Sequence, residues 1–539
     1  MKRRIWITPI VILVLLISLL LSACGEPEKE TVTQTATETA TATETATATA
    51  TATATETVVA PEDQPQSGGT LRIIWSTGPG GGWGWGPAVF GGEAAYGDMA
   101  MEGLFEGTYL GGIQVPRLAT DYSWSADGKV LTFNLRQGVT FHDGTPFNAD
   151  AVKYTHDAMI ASGRVTSNLL SCDVIDDSTV SFTFDKVLNT NYYAVAGTGI
   201  ASPTWVEAVG PEEAAHNAVG TGPFKQVSYD PGVKIVLERY DDYWGQVAYL
   251  DTIEGTFISD SVTLVMAMQA GQGDMTHSRD ARTMADLRQA GFNVNETLMG
   301  MEGMYYNSRD ADSPFADVRV REALEYAINK DKIVKALGYG YWEVANQFQL
   351  PGMNGYLDDI VPRAYDPDKA RELLTAAGYP NGFETTIVHA VWDFNDGVQA
   401  VQADLLDVGI TTTLETVQFG TWSTMRQEGW DGIFIAGSGM TSNFNSTLAI
   451  YFGDASLTEM YSIARLPEVI AAAQLALAAI PEDLDLTKAA HRLIYDLALW
   501  APIQHHGDNM AYSDKVHGLN QGYYGQWGAF DAELVWMDQ

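Results

Sequence analysis

The chain has 539 residues, 46% of them hydrophobic, two cysteines and a formal charge of −37. That length supports large cores and more than one domain, while the charge disfavours nucleic acid and anionic lipid headgroups as partners. With one cysteine at position 24 and the other at 172, no internal disulfide framework is expected, so stability has to come from buried apolar surface.

Lys2, Arg3 and Arg4 precede an apolar run from Ile5 to Leu21, and Leu21-Ser22-Ala23-Cys24 follows. A basic start, an apolar stretch and small residues before a cleavage point are the layout of an export signal. The run is short for a membrane span and contains Thr8, Pro9 and Ser18. Residues 21–24 resemble the lipobox of bacterial lipoproteins, which implies a signal peptide over 1–23 and acyl chains on Cys24. Several chains anchor firmly, since each buried methylene adds ~0.8 kcal/mol.

From Thr31 to Thr57 every odd position is Thr, and most even positions are Ala, with Glu38, Glu44 and Glu56 among them. Neither face of such a segment is apolar enough to repay ordering, so residues 24–66 are expected to form a disordered tether. Folded sequence is expected from Ser67, with a strand over Thr70 to Trp75. Asp127-Gly128 predicts a turn before a strand in which Leu131, Phe133 and Leu135 share one face. Asn148 is placed as a helix cap, and Asp176-Asp177 as the turn of a second hairpin. Asp366-Pro367 opens a later helix that Gly378 closes. Strands and helices mix without a repeat, which predicts an α/β body of two lobes.

Several blocks then resemble one family, the solute-binding proteins of peptide-type ABC importers (family 5). They include Pro116-Arg117-Leu118-Ala119, Leu135-Arg136-Gln137-Gly138-Val139 and Phe141-His142-Asp143-Gly144-Thr145-Pro146-Phe147. Gly220-Thr221-Gly222-Pro223-Phe224-Lys225, Val318-Arg319-Val320-Arg321-Glu322-Ala323-Leu324 and Val516-His517-Gly518 continue the series in the family's order. The resemblance implies a type II periplasmic-binding-protein-like fold of the large peptide-binder cluster. Lobe one is expected over 67–303 with a small subdomain at about 106–210, lobe two over 304–499, and a return to lobe one over 500–539. It also implies crossing strands, with Tyr305, Tyr306, Asn307, Trp500 and Gln504 as hinge residues. The partners implied are a membrane permease with a separate ATPase, in an extracytoplasmic setting, with the chain itself a monomer.

Ligand contacts are expected from a loop and two later segments. Trp83 and Trp85 sit in a glycine-rich loop, Gly80 to Gly86, and either offer apolar faces to a ligand or pack on their own lobe. Thr276 and His277 follow the turn Gly271–Met275, and Trp392 and Trp422 are further candidates. Many peptide binders of the family carry an acid after the strand resembling Trp430 to Ile435, and it pairs with the peptide's amino terminus. Here Ala436 to Asn445 contains no acid, so Ser438, Asn443 and Asn445 offer neutral hydrogen bonds instead. That widens the expected ligands from ordinary peptides to sugars, modified peptides and other polar solutes.

No catalytic residue, metal or cofactor is assigned. His142-Asp143-Gly144 reads as a turn, and His505-His506 would point to opposite faces of a strand. The chain lacks His-Glu-x-x-His, Gly-x-Ser-x-Gly and the phosphate-binding loop. The alternatives are a tethered hydrolase of glycans or peptides, and a ligand sensor without a permease.

Overall fold

A computed structural model describes residues 64–76, 78, 82–88, 97, 99–107, 114–163, 168–390, 394–439, 443–453, 460–519 and 530–538. The export signal, Cys24, the tether as far as residue 63 and Trp392 lie outside them. The chain divides into residues 1–64 and 65–539, and every element below belongs to the second unit.

The first strand is β1 (Thr70–Trp75), followed by a small antiparallel pair, β2 (Phe105–Gly107) and β3 (Gln114–Pro116). Then come β4 (Ala119–Trp124), β5 (Val130–Leu135), β6 (Leu169–Asp176) and β7 (Thr179–Phe184), a sheet in the order β4-β5-β7-β6. The chain continues through β8 (Phe224–Asp230), β9 (Lys234–Arg239), β10 (Thr252–Phe257), β11 (Met275–Ser278) and β12 (Asn293–Asn295). The next group is β13 (Gly300–Tyr306), β14 (Trp342–Val344), β15 (Glu384–Ala390), β16 (Thr411–Val417) and β17 (Ile433–Gly439). Last are β18 (Trp500–His506), β19 (Asn509–Tyr512), β20 (Val516–His517) and β21 (Trp536–Met537). Two mixed sheets organise the unit. One is seven-stranded, β12-β19-β11-β1-β10-β9-β8, and the other six-stranded, β14-β18-β13-β17-β15-β16.

Local chemistry explains these elements. In β5 the residues Leu131, Phe133 and Leu135 are buried while Asn134 is exposed, the period-two pattern of a strand with one face on a core. Asn148 Oδ1 accepts the Ala151 N–H at 3.2 Å and starts the helix Ala149–Ala161. Asp366 caps the helix Pro367–Ala376 by accepting the Lys369 N–H at 2.9 Å. Past its end Gly378 takes a φ of +98°, a left-handed conformation that side chains resist.

Each large sheet is packed on both faces. On the seven-stranded sheet, Leu71, Ile73 and Trp75 face one core, and Ile74 and Ala511 face another. On the six-stranded sheet, Met301, Tyr305, Phe434 and Ala436 face one, and Met304, Tyr306, Ile433 and Ile435 the other. A separate core holds Phe133, Phe182 and Phe184 of the four-stranded sheet, Val152 of the helix Ala149–Ala161, and Phe141 from the connection between them.

The expected hinge needs a correction. Tyr305, Tyr306, Trp500 and Gln504 lie inside the β13–β18 pairing of the six-stranded sheet. Tyr306 stacks on Phe315, and Asn307 Nδ2 donates to Asp431 at 3.1 Å. The chain changes sheets at residues 296–299, between β12 and β13, and at 507–508, between β18 and β19. Because β13 and β18 run antiparallel, both crossings fall at the same end of the pair, away from Tyr305 and Trp500.

Candidate functional site

That end of the six-stranded sheet differs in composition from the rest. On one face, Met304, Tyr306, Ile433, Ile435, Ala501 and Ile503 form apolar core. Toward the crossings the same face carries Glu302, Gln504 and His506 on β13 and β18, with Gly300, Gly437 and Gly439 beside them. Glu302 pairs with Gly437 on one side and Gln504 on the other, and Gly300 with Gly439 and His506. The glycines have a steric purpose. A Cβ at Gly437 would come within 2.8 Å of Glu302 Oε2, and one at Gly300 would collide with the His506 imidazole.

The seven-stranded sheet meets this seam at the second crossing. His277, on β11, holds its Nδ1 3.0 Å from Oδ1 of Asp508, which lies in the second crossing. Burial alone would raise the Asp508 carboxyl, but His277, Arg279 and His506 hold it below the usual carboxylate value. As an ionised acceptor, Asp508 requires Nδ1 of His277 to donate. Burial, reinforced by Arg279, pushes the His506 imidazole down to about 3, so that ring is neutral at ordinary pH. Among the described residues, His277 Nε2, His506 Nδ1 and Gln504 Oε1 are buried without a hydrogen-bond partner.

The candidates named from sequence fall into different places. Trp83 and Trp85 are 1% and 4% exposed, in the core of the seven-stranded sheet. Trp83 meets Tyr229 edge-on, and Trp85 lies against Tyr154. A Cβ on Gly84 would come within 2.8 Å of Ala218 backbone, so that glycine admits a neighbouring chain segment. Their burial supports the packing reading. Thr276 Oγ1 donates to the Ile74 carbonyl at 2.7 Å, which leaves His277 as the member of that pair at the seam. Trp422 stacks on Phe434 with the Arg426 guanidinium 4.7 Å from its ring. The backbone of Ser438 pairs with Met301, and its side chain lies outside the description.

Asn443 and Asn445 serve local structure. Asn443 Oδ1 accepts the Asn445 N–H at 2.8 Å, and the two amides donate to Glu482 at 3.1 and 3.0 Å. Asn443 also donates to the Tyr193 hydroxyl at 3.1 Å. Asp508 was missed from sequence and His506 was weighed only for a metal, because nothing in Gln504-His505-His506-Gly507-Asp508 shows which sheet lies beside each residue; Glu482 was missed because it meets Asn443 and Asn445 only in space. The opposite-face expectation for the two histidines fits the geometry. His505 Nε2 lies 3.1 Å from the carbonyls of Gln347 and Phe348, on the face away from Gly300. His142 Nε2 donates to the Gly222 carbonyl at 2.9 Å, and Asp143 accepts from Thr145 and Ser202, a turn without a catalytic arrangement. Among the described residues there is no cluster of three metal-ligating side chains.

Two mixed sheets, each covered on both faces and joined by two short crossings with polar groups from both sheets at the seam, define a two-lobed solute-binding protein. The profile of bacterial extracellular solute-binding proteins, family 5, matches residues 114–458, and the chain belongs to that family. Heme-binding protein A of Haemophilus influenzae is 28% identical over 461 residues, covering 76% of this chain and 82% of that one. The glutathione-binding protein GsiB of Escherichia coli is 29% identical over 412 residues, covering 72% and 79%. The fold matches DppA of Helicobacter pylori in complex with peptide STSA, with a TM-score of 0.74 and 24% identity over 89% of this chain and 100% of that one. It also matches AppA of Bacillus subtilis in complex with a nonapeptide, with a TM-score of 0.72 and 20% identity over 88% and 100%.

Proposed function

We propose that this chain is a lipid-tethered receptor that takes a polar solute, a peptide by default, between its lobes and delivers it to an ABC permease driven by a separate ATPase. Family members are extracytoplasmic solute-binding proteins that work with such permeases. The observation that carries the reading is the seam itself. His277 comes from one sheet, Gln504 and His506 come from the other, and both groups flank one crossing. A solute touching both sides stabilises the closed arrangement by that differential contact. The peptide default draws on the glutathione named for one relative and the peptides held by two fold neighbours.

The tether to the membrane rests on Leu21–Cys24 and the Thr/Ala/Glu segment. Among the described residues no helix is long and apolar enough to cross a membrane. The chain acts as a monomer and performs no turnover. Native mass spectrometry of the purified protein, followed by denaturation, is expected to release a peptide or another small polar solute. Catalytic turnover of peptides or oligosaccharides by the pure protein would instead identify a tethered hydrolase.

A further inference from the structure

A carboxylate without a cation stands where two parts of the fold meet. Glu482 lies between the helices Pro467–Ala478 and Leu484–Asp496, both packed on the six-stranded sheet. Its Oε2 accepts the amide of Asn443 at 3.1 Å and that of Asn354 at 3.4 Å, and its Oε1 accepts Asn445 at 3.0 Å. The Asn443 amide also reaches the Tyr193 hydroxyl at 3.1 Å, and Tyr193 belongs to the helix Asn191–Ala196 beside the four-stranded sheet. Asn443 comes shortly after Gly439, which pairs with Gly300 at the end of the six-stranded sheet where the crossings lie.

The amide orientations are fixed by their other partners. Asn443 Oδ1 accepts the Asn445 N–H at 2.8 Å, and Asn445 Oδ1 faces the Thr487 hydroxyl at 3.0 Å. Both side chains therefore turn their N–H groups to Glu482. Both carboxylate oxygens act as acceptors, which favours the ionised form. Burial works the other way and raises the Glu482 carboxyl, and among the described residues no Lys, Arg or His opposes that rise. A charge withdrawn from water is ordinarily paired, because neutral donors replace only part of the hydration it loses. An ionised carboxylate has about four acceptor positions, and three of them are taken by amides. Glu482 is half-buried and not sealed, which leaves the remaining position for a donor from outside.

Taking the receptor reading as given, we propose that Glu482 is a subsite for an ammonium group of the solute, such as the amino terminus of a peptide. The ammonium donates to the remaining position of the carboxylate and supplies the positive charge that the amides lack. Asn354, Asn443 and Asn445 are positioning residues that hold the carboxylate in place. This narrows the solute to amine-bearing molecules, peptides among them, and sets neutral sugars aside.

The test is calorimetric titration of the full chain, purified in detergent and stripped of co-purified solute. The probes are trialanine and N-acetyl-trialanine, which differ at the amino group alone. Wild type is expected to bind trialanine about tenfold or more tightly than the acetylated peptide, the scale of one charge-assisted hydrogen bond. Glu482→Gln keeps the side-chain shape, removes the charge, and should bind the two alike. Equal affinities in wild type would overturn the subsite and leave the receptor reading standing. So would a preference for trialanine that persists in Glu482→Gln, since a carboxylate that only holds the asparagines would weaken both peptides together. Binding of neither peptide by wild type would overturn the receptor reading for short peptides, and the subsite with it. Should Glu482→Gln not fold, Glu482→Ala opens the amides to water, and the same loss of preference is expected. A preference kept by that variant would overturn the assignment.

Discussion

The side-chain amide of Asn189 donates to the carbonyl of Ala476 at 2.8 Å, from 287 residues away in sequence. It also reaches the Ala479 carbonyl at 3.2 Å, while the Asn189 backbone N–H donates to Leu477 at 2.8 Å. The last carbonyls of a helix lack partners within it. Asn189, which follows the four-stranded sheet, therefore caps the helix Pro467–Ala478, which packs on the six-stranded sheet. Asn443 and Tyr193 make a second bond across the same junction.

Asn189→Ala is expected to loosen that junction without unfolding either side. Each neutral hydrogen bond contributes about 1 kcal/mol, so removing the two side-chain bonds should shift a closure equilibrium by roughly tenfold or more. Solute affinity should fall by a similar factor, and small-angle scattering should show a more open average. An unchanged affinity and scattering profile would show that this cap has no part in closure.

Trp83 and Trp85 are expected to govern stability. Each is buried in the core of the seven-stranded sheet, and truncating a buried large aromatic costs about 3–5 kcal/mol. Denaturant unfolding of Trp83→Ala and Trp85→Ala should show that loss separately. Normal stability with lost solute binding would return both indoles to the ligand.

His491 gives a pH prediction whose sign follows from burial. Its Nδ1 donates to the Gly355 carbonyl at 2.8 Å, and its ring stacks 4.1 Å from Phe444. Burial pushes this imidazole down from 6.5 to about 4, so the folded state prefers it neutral. The stability it contributes is present above pH 6.5 and is lost as pH falls toward about 4. His491→Gln has no such titration. Relative to that variant, wild type should lose stability progressively between these limits, as read by denaturant midpoints at several pH values. A constant difference across the range would show that the ring is solvated.

Cys24→Ser should release the protein from membranes, since acyl chains on that sulfur are the proposed anchor. Fractionation of cells expressing the variant checks this. Retention in the membrane fraction would mean that residues 5–21 remain as an anchor.

Local patterning carried much of the fold. Leu131, Phe133 and Leu135 announced a half-buried strand, Asn148 and Asp366 announced helix starts, and Gly378 announced a stop. Each depends on neighbours within a few residues, where side-chain period and capping chemistry act directly. The ordered blocks from Pro116 to Gly518 likewise pointed to the family that the profile match establishes.

The seam was another matter. Thr276 and His277 are adjacent in sequence, yet Thr276 bonds to Ile74 and His277 to Asp508, 231 residues away. For Trp83 the sequence left ligand contact and packing on its own lobe both open, and the structure places the ring edge-on to Tyr229 and its backbone N–H on the Ala215 carbonyl. Tyr305 and Trp500 were placed in the correct pair of strands but at the wrong end for the crossings. The sequence by itself determined where strands and helices begin, which faces are apolar, and which family the chain resembles. Only the tertiary structure decided which polar groups meet, because strand order and the antiparallel sense of β13 and β18 join residues hundreds of positions apart. Hydrogen bonding and burial act on those distances in space, which is how His277 and Asp508 come to be bonded across 231 positions.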